Sequence, residues 1–303
     1  MIPLISLPRQ LPIQVTLEQA ALGPVDVCPL TKGQEAEALE FLAAHPLHNV
    51  YMAGFIADNG LVSPLNRGTF YACRDGAGRL EGVALIGHVI QLDVRTSRAL
   101  RAFAEVAQTC PSVHVVMGER ATVRDFWRDY STGGQEMRVA CRELLLAQKL
   151  PVEASEAAAG LRPATSDDLP LILRVQAAMA VAECGVNPLT TDRDGFRARC
   201  ARRIERGRIW VLVENGKLLF KADIMAETPE AVYLEGVYVN PRHRQRGHGR
   251  RCLLTLGRIL LSRSGTVCLL VNERNVGAQS FYYGVGYKLR SLYDTVYLYK
   301  AMH

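Results

Sequence analysis

The pattern of apolar and polar positions in the second half of the chain alternates between helical and extended periods, which predicts a mixed α and β domain. Asn215-Gly216 is a favoured tight-turn pair between two apolar stretches, and Thr165 followed by Asp168 is typical of a capping box at a helix start. The predicted order begins with a short strand at 161–165 that enters a helix, followed by a second helix at 192–206. Strands at 209–213, 218–225 and 231–239 come next, and then a helix at 249–262. The order ends with a strand at 266–271, a short helix, and an antiparallel pair of strands at 287–290 and 295–299. Helices flanking a mostly antiparallel sheet are therefore expected.

The first half repeats part of this order. A strand-hairpin-helix-strand-helix order that occurs twice indicates a duplicated fold. Residues 148–160 are rich in Ala, Glu, Ser and Pro without apolar periodicity, so we expect them to link domains at 1–150 and 158–303. The elements predicted in the first half are strands at 69–74 and 83–93 around a turn at 75–78, a helix at 96–108, a strand at 112–117 and a helix at 122–129.

Composition narrows the class of protein. The chain has 303 residues, 49% apolar and 22% charged, which argues against disorder and coiled coils. Its net charge of +6 favours anionic ligands such as phosphates but is too small for an obligate nucleic-acid binder. Eight separated cysteines without a C-x-x-C pair argue against a zinc site, and we expect buried free thiols. No bilayer-length apolar run and no signal peptide are found, so we expect a cytoplasmic protein.

A glycine-rich segment between a predicted strand and helix indicates an anion site. Gly247 and Gly249 have no Cβ atom, so the backbone can turn tightly and approach a ligand closely. The free N–H groups of the helix start then face a phosphate, and Arg244, Arg246 and Arg250 can add charge-assisted hydrogen bonds. The Rossmann and P-loop patterns are absent here. A plain strand-to-helix turn with solvated arginines is the alternative.

A second motif about 25 residues further on points to one family. Asn275, Ala278, Tyr282 and the pair Gly286-Tyr287 follow the glycine-rich segment at a characteristic spacing. With these residues, the region 161–300 resembles the GNAT superfamily of acyl-CoA-dependent N-acyltransferases. The resemblance implies an α+β fold of the GNAT type and acetyl-CoA as co-substrate, with no metal.

The whole chain also resembles a two-domain bacterial group in which a degenerate GNAT-like domain precedes an intact one. Residues 186–188 and 219–224 are similar to that group. In the first half, the segment 92–99 that follows the equivalent strand contains no glycine. A backbone site for pyrophosphate is therefore not expected there, and we predict that this half binds no CoA.

The resemblance assigns roles to individual residues. Tyr282 matches the family's general acid, which protonates the leaving thiolate; a core aromatic on an amphipathic helix is the alternative. Asn275 matches a CoA-contacting residue, although a plain helix N-cap would also explain it. The residues matched to CoA binding are Val237, Tyr238, Val239, Arg244, Gln245, Arg246, Gly247, His248, Gly249, Arg250 and Asn275.

The general base is a carboxylate in many members of the family. Strand alternation puts Glu235 among apolar neighbours on the face of Tyr233 and Val237, where its pKa could be raised. Glu183 is the second candidate for the base. It lies on the helical segment that lines acceptor sites in the family, so we also expect it to contact the acceptor. A solvated charge is the alternative for either residue.

Together these features predict direct transfer of an acetyl or short acyl group from CoA to an amine in a ternary complex. The expected acceptor is a small molecule or a peptide; we expect no membrane or nucleic-acid partner, and a homodimer stays open. Two other functions remain open. A non-catalytic acyl-CoA sensor would bind CoA without turnover, and a tandem aminoacyl transferase would require charged tRNA.

Overall fold

The computed structural model describes residues 24–152 and 157–299, which form strands and helices in both halves. The strands are β1 (Val25–Pro29), β2 (Gly68–Asp75), β3 (Leu80–Gly87), β4 (Val89–Val94), β5 (Val115–Glu119), β6 (Met137–Gln148), β7 (Arg162–Pro163), β8 (Ile209–Glu214), β9 (Lys217–Glu227), β10 (Val232–Val239), β11 (Val267–Asn272) and β12 (Lys288–Leu298). The helices are α1 (Glu35–Leu42), α2 (Pro46–Asn59), α3 (Ser97–Gln108), α4 (Arg120–Tyr130), α5 (Leu169–Cys184), α6 (Pro188–Thr191), α7 (Arg193–Glu205), α8 (His248–Leu261) and α9 (Val276–Gly284).

All the strands join one sheet, in the order β1-β2-β3-β4-β5-β12-β6-β11-β10-β9-β8-β7. The pairs β4–β5 and β10–β11 are parallel, and the other pairs are antiparallel. The expected mixed fold with a mostly antiparallel sheet and flanking helices is thus confirmed. None of the helices in the described ranges is long and apolar enough to cross a membrane.

The last strands of the two halves are exchanged. Strand β6, from the first half, pairs with β11 of the second half from Gln148 to Glu143, whereas β12 pairs with β5 of the first half. Between them, β6 and β12 pair with each other from Ala147 to Met137. Each half therefore completes its sheet with a strand that the other half supplies.

Helices cover both faces of this sheet. One face carries α1 and α2 and, in the second half, α5 and α7; Asp58 of α2 pairs with Arg206 and Arg208 just after α7. The opposite face carries α3 and α4 over the first half and α8 and α9 over the second. On β6, Leu145 packs towards α2, whereas Leu144 and Leu146 pack towards α8. The exchanged strand is thus buried between both layers.

Local sequence signals account for several element boundaries. Asp168 accepts a hydrogen bond from the backbone N–H of Thr165 at 2.8 Å, which confirms the capping box. Asn215 and Gly216 have φ angles of 48° and 70°, as a type I′ turn requires, and they connect β8 to β9.

Two predictions in the strands are wrong, and one strand was not predicted. The stretch 83–93 is two strands that part at Gly87, where a Cβ atom would lie 2.3 Å from the carbonyl oxygen of Arg67. The final antiparallel pair is one continuous strand, β12, because β6 occupies the position of its expected partner. Strand β6 has no counterpart among the predicted elements, and only its last residue, Gln148, falls in the predicted linker.

The cysteines are all free, but they are not all buried. Cys73, Cys200, Cys252 and Cys268 are in the core. The other four are exposed or partly exposed: Cys28, Cys110, Cys141 and Cys184.

The strand exchange predicts that neither half folds well by itself. Separately produced fragments 1–152 and 153–303 would remove both neighbours of β6 and of β12, and one neighbour each of β5 and β11. Unpaired strand edges favour aggregation. We expect each fragment to lack a cooperative thermal transition in circular dichroism and the coexpressed pair to copurify as a one-to-one complex. A single fragment that unfolds cooperatively at the temperature of the intact chain would contradict this.

A candidate active site between two splayed strands

Strands β10 and β11 pair only at their first residues and then separate. Their parallel register joins Val232 to Val267, Tyr233 to Cys268 and Leu234 to Leu269, and no further pair follows. Because β10 continues to Val239, the edge of its last residues facing β11 is open. This wedge is where the predicted site residues of β10 lie.

A β-bulge at Gly236 changes the direction of the side chains on β10. On the β9 side, Glu235 pairs with Asp223 and Tyr238 pairs with Lys221, so β10 has one extra residue. Gly236 has a φ of 58°, and a Cβ atom there would lie 2.9 Å from the ammonium nitrogen of Lys221. Glycine is therefore required both for this backbone conformation and for the space that Lys221 occupies.

Because of the bulge, the side chains of β10 after Gly236 do not lie on the faces that simple strand alternation predicts. Glu235 stays on the face of Tyr233, the face that carries α2 and α5. Val237 and Val239 turn to the other face and pack with the α8 cluster, whereas Tyr238 packs with α5 and α7. The expectation that Glu235 shares a face with Val237 is wrong, since the extra residue shifts the period by one.

The segment after β10 turns sharply into α8. Gln245 and Gly247 both have positive φ angles, 60° and 79°, and α8 begins at His248. Nothing lies within 4 Å of the place where a Cβ atom of Gly247 would be, so its backbone is accessible. The first N–H groups of a helix have no carbonyl partner within it, and those of α8 point into this turn.

Gly249 also has a role in packing. A Cβ atom there would lie 2.7 Å from Cγ2 of Val239. The missing side chain thus lets the first turn of α8 pack against the end of β10. That Gly249 also contacts CoA stays a prediction.

A cavity of about 620 Å³ opens along this wedge. It runs from the start of α8 to the inner side of α9. Most of the residues expected to contact CoA line it, but Tyr238 and Arg246 do not. His243, Gly277 and Phe281 were not predicted. The lining residues are Val237, Val239, His243, Arg244, Gln245, Gly247, His248, Gly249, Arg250, Asn275, Gly277, Ala278, Phe281 and Tyr282.

Two arginines of the motif also hold the walls of the cavity. The Nε of Arg244 donates to the carbonyl of Val239 at 3.2 Å, and Arg250 donates to the carbonyl of Gly284. Each guanidinium has further N–H groups. These arginines therefore fix the end of β10 and the end of α9 while they contribute positive charge to the cavity.

Helix α9 provides the other wall. Asn275 caps it, because its Oδ1 accepts a hydrogen bond from the backbone N–H of Ala278 at 3.1 Å, and its amide also lines the cavity. Tyr282, about two helical turns after Asn275, is 8% exposed and packs edge-on against Tyr287. Burial, and next the charge of Glu183, raise the pKa of Tyr282 above its usual range, so the phenol is protonated at neutral pH.

Carboxylates meet on the opposite face of the wedge. Solvent reaches both Glu183 and Glu235, yet they lie in a cleft whose protein walls remove much of their hydration. Burial, and then the charges of Glu235 and Glu143, raise the pKa of Glu183 to about 7. Burial also raises the pKa of Glu235, although the nearby positive charge of Arg203 acts to lower it.

Glu143 was not foreseen as part of this site. It lies on β6, which the sequence assigns to the first half, and its Oε2 accepts a hydrogen bond from the hydroxyl of Thr295. Only the strand exchange brings it beside Glu183 and Glu235. Within the described ranges, no group of three His, Cys, Asp or Glu side chains is arranged to hold a metal ion.

The first half has a similar but filled wedge. Strands β4 and β5 pair only at Val89–Val115 and Ile90–Val116 before they separate. A small cavity there has room for little more than one water and is bordered by His48 and Tyr293, whose Nδ1 and hydroxyl oxygen lie 2.8 Å apart.

Comparisons with known proteins agree with this geometry. Residues 205–289 match the family model described as the acetyltransferase (GNAT) domain. None of the curated proteins matches the chain.

Solved structures resemble nearly the whole chain. A GNAT-family acetyltransferase from Colwellia psychrerythraea is 12% identical with a TM-score of 0.55, and the match covers 90% of this chain and 100% of that one. A Drosophila protein is 12% identical with a TM-score of 0.64, over 91% and 99% of the two chains. A tandem GNAT protein from the clavulanic acid biosynthesis pathway is 16% identical with a TM-score of 0.55, over 90% and 98%.

At such identities these structures show the fold, and the family model adds the motifs. The matched range contains the bulged strand, the turn into α8 and Tyr282. Residues 205–289 therefore belong to the GNAT superfamily, and the chain around them has the fold of a tandem GNAT protein.

Proposed function

We propose that this protein transfers an acetyl or short acyl group from CoA to an amine, in a ternary complex and without a covalent enzyme intermediate. Membership of the GNAT superfamily supports an acyl-CoA-dependent acyltransferase in general. The observation that carries the finer proposal is the cavity that joins the start of α8, the open edge of β10 and Tyr282. A phosphate-bearing, amide-rich thioester fits each of these in turn.

The pyrophosphate of CoA would lie at the start of α8. The free N–H groups there and the positive end of the helix dipole attract anions, and Gly247 leaves the backbone accessible. Arg244 and Arg250 add positive charge at the same end. The pantetheine arm would continue along Val237–Val239, whose unpaired N–H and C=O groups can bind its amides as a neighbouring strand would.

The acceptor amine must lose a proton before it attacks. An amine of pKa ~10.4 is neutral in only about one part in 2,500 at pH 7, so a nearby base speeds the reaction. Glu235 and Glu183 both lie in the cleft next to the wedge. With its pKa near 7, Glu183 is half ionised at neutral pH and suited to accept that proton. We therefore assign the base role to this pair.

Tyr282 is suited to be the acid. The leaving thiolate needs a proton, and a buried phenol with a raised pKa retains its proton until a strong base forms beside it. The ring is held by α9 and by Tyr287, which limits its movement. A backbone N–H near Val239 would stabilise the oxyanion of the thioester carbonyl.

The first half, on this proposal, binds no CoA. Thr96 caps α3 in place of a glycine-rich turn, since its hydroxyl accepts from the N–H of Ala99 at 3.3 Å. The cavity in its wedge is about 20 Å³, too small for a pantetheine arm. Its role is to complete the sheet and the acceptor cleft.

The phosphate site can be tested by placing a negative charge in it. Gln245→Glu adds a carboxylate at an exposed, positive-φ position of the cavity, and repulsion from the pyrophosphate should weaken acetyl-CoA binding about fivefold to tenfold in calorimetry. Asn215→Asp is the matched control, because it also replaces an exposed positive-φ amide, in the β8–β9 turn. Equal affinities for both variants would argue against this site.

The acid role predicts a loss of rate without a loss of binding. Tyr282→Phe keeps the packed ring but removes the proton donor, so kcat should fall about 100-fold while the Kd of acetyl-CoA stays unchanged. Tyr283→Phe, on the same helix and 45% exposed, is the control and should retain full activity. If the wild-type protein binds acetyl-CoA but transfers no acyl group to any amine, the sensor function replaces this proposal.

The base role predicts a pH dependence. A carboxylate accepts a proton only when ionised, so activity should fall as the pH drops through about 7, the pKa of Glu183. In Glu183→Gln the limb near pH 7 should disappear from the profile of kcat/KM. A profile that keeps this limb in the variant assigns the base to another group.

A further inference from the structure

Three carboxylates converge on one face of the sheet beside the wedge. Glu143 of β6 pairs with Tyr293 of β12, and paired residues of neighbouring strands point to the same face. Tyr293 packs with α2 and with Tyr233, whose face Glu235 shares. Glu143 and Glu235 thus project from strands on either side of β11 towards the same layer of helices.

Helix α5 completes the cleft and adds the third carboxylate. The Oε1 of Gln176 would lie 3.2 Å from a Cβ atom at Gly236, so this part of α5 rests on the bulge of β10. At the other end, a guanidinium N–H of Arg138 on β6 donates to the carbonyl of Cys184 at 2.7 Å. Glu183 follows Gln176 by two helical turns, on the same side of α5, and so lies between the two strands.

These carboxylates have cations nearby but, in the part of the chain that the structure describes, no direct ion-pair partner. None of Glu143, Glu183 and Glu235 belongs to an ion pair among the described residues. The nearest cations, Lys221 and Arg203, are both committed to Asp223, at 2.5 Å and 3.4 Å. The three groups therefore leave excess negative charge in the cleft.

The cleft also contains a hydrogen-bond acceptor to which no described residue donates. The Oε1 atom of Gln176 is buried and has no hydrogen-bond partner, which is uncommon because such an atom loses its bond with water. It lies at the bulge next to Glu235. The ligand that complements this lining is rich in N–H donors and positively charged.

The cleft adjoins the reactive end of the cavity. The charge of Glu183 acts on Tyr282 across the wedge, although the two residues lie on opposite faces of the sheet. An amine that reaches the thioester near Tyr282 therefore has the remainder of its molecule among the carboxylates. One carboxylate can take the proton of the attacking amine while the others remain to bind a second charge.

We propose that the acceptor is a diamine-like cation. One amine lies at the reacting centre, and a second, charged amine is held by Glu143 together with the one of Glu183 and Glu235 that does not act as the base. This rests on the proposed acyltransferase function and defines its acceptor class. It also gives the first half a direct part in substrate selection, because Glu143 comes from that half. Glu143 is a specificity residue in this scheme and takes no part in proton transfer.

The experiment compares three amines of equal length and different terminal charge. Initial rates of CoA release would be measured with 1,4-diaminobutane, butylamine and 4-aminobutanoate as acceptors of the acetyl group. We expect kcat/KM to be about tenfold or more higher for the diamine than for butylamine and lowest for the amino acid. Added salt should reduce the preference, since the cleft is open to solvent.

Variants locate the preference within the cleft. Glu143→Gln keeps an oxygen for the hydroxyl of Thr295 but removes the charge, and it should raise the KM of the diamine about fivefold or more with little change in kcat. Glu40→Gln, an exposed residue of α1, is the control and should behave as the wild type. If kcat in Glu143→Gln fell as much as KM rose, Glu143 would have a structural or catalytic role, and its assignment as a specificity residue would be overturned.

The outcomes separate the two proposals. Turnover of all three amines at similar kcat/KM, or a preference for the uncharged or acidic one, overturns the diamine inference and leaves the acyltransferase function intact. Absence of turnover with all three, by a protein that acetylates another amine, also overturns only the diamine inference. A protein that binds acetyl-CoA in calorimetry but acetylates none of a broad panel of amines overturns the proposed function. Diamine binding that persists in that protein, and is weakened in Glu143→Gln, would still support the cationic site.

Discussion

Beyond Leu234, strand β10 leaves its hydrogen bonds with β11, and the site of the second half depends on that separation. The bulge at Gly236 maintains it from the β9 side, where the ammonium of Lys221 fills the space of the missing Cβ atom and is paired with buried Asp223. Removing either partner of such a pair would leave an uncompensated buried charge, at a cost of about 3–5 kcal/mol. The opening in the sheet is therefore built into the core and does not require a ligand to form.

The opening joins two electrostatically different regions. On the face of α8 and α9, a helix start and several arginines offer N–H groups and positive charge, which suits phosphate. On the face of α2 and α5, carboxylates that form no direct ion pair with any described residue offer acceptors and negative charge, which suits an ammonium group. A sheet that was fully paired would keep these regions apart, and the wedge lets an anionic donor and a cationic acceptor meet from opposite sides.

The exchange of β6 and β12 links the stability of the fold to the composition of the cleft. Because β6 is the neighbour of β11, the first half supplies one wall of the site in the second. Tyr293 of β12 in turn fills the wedge of the first half, so the exchange completes one site and occupies the other. The exchange thus explains how a half without a phosphate-binding turn still contributes to the candidate site.

The sequence by itself determined the features that depend on local chemistry. The capping box at Thr165, the Asn-Gly turn and the start of α8 at the glycine-rich segment were predictable, because neighbouring residues decide backbone conformation there. The spacing of the motif residues from Gly247 to Tyr282 was sufficient to indicate the GNAT superfamily. It also indicated most of the residues of α8 and α9 that line the cavity. Tertiary structure alone decided which strand neighbours β11, where β10 changes face, and that Glu143 joins Glu183 and Glu235. These features depend on pairing between residues more than 100 positions apart and on a one-residue bulge, and neither leaves a periodic signal in the sequence.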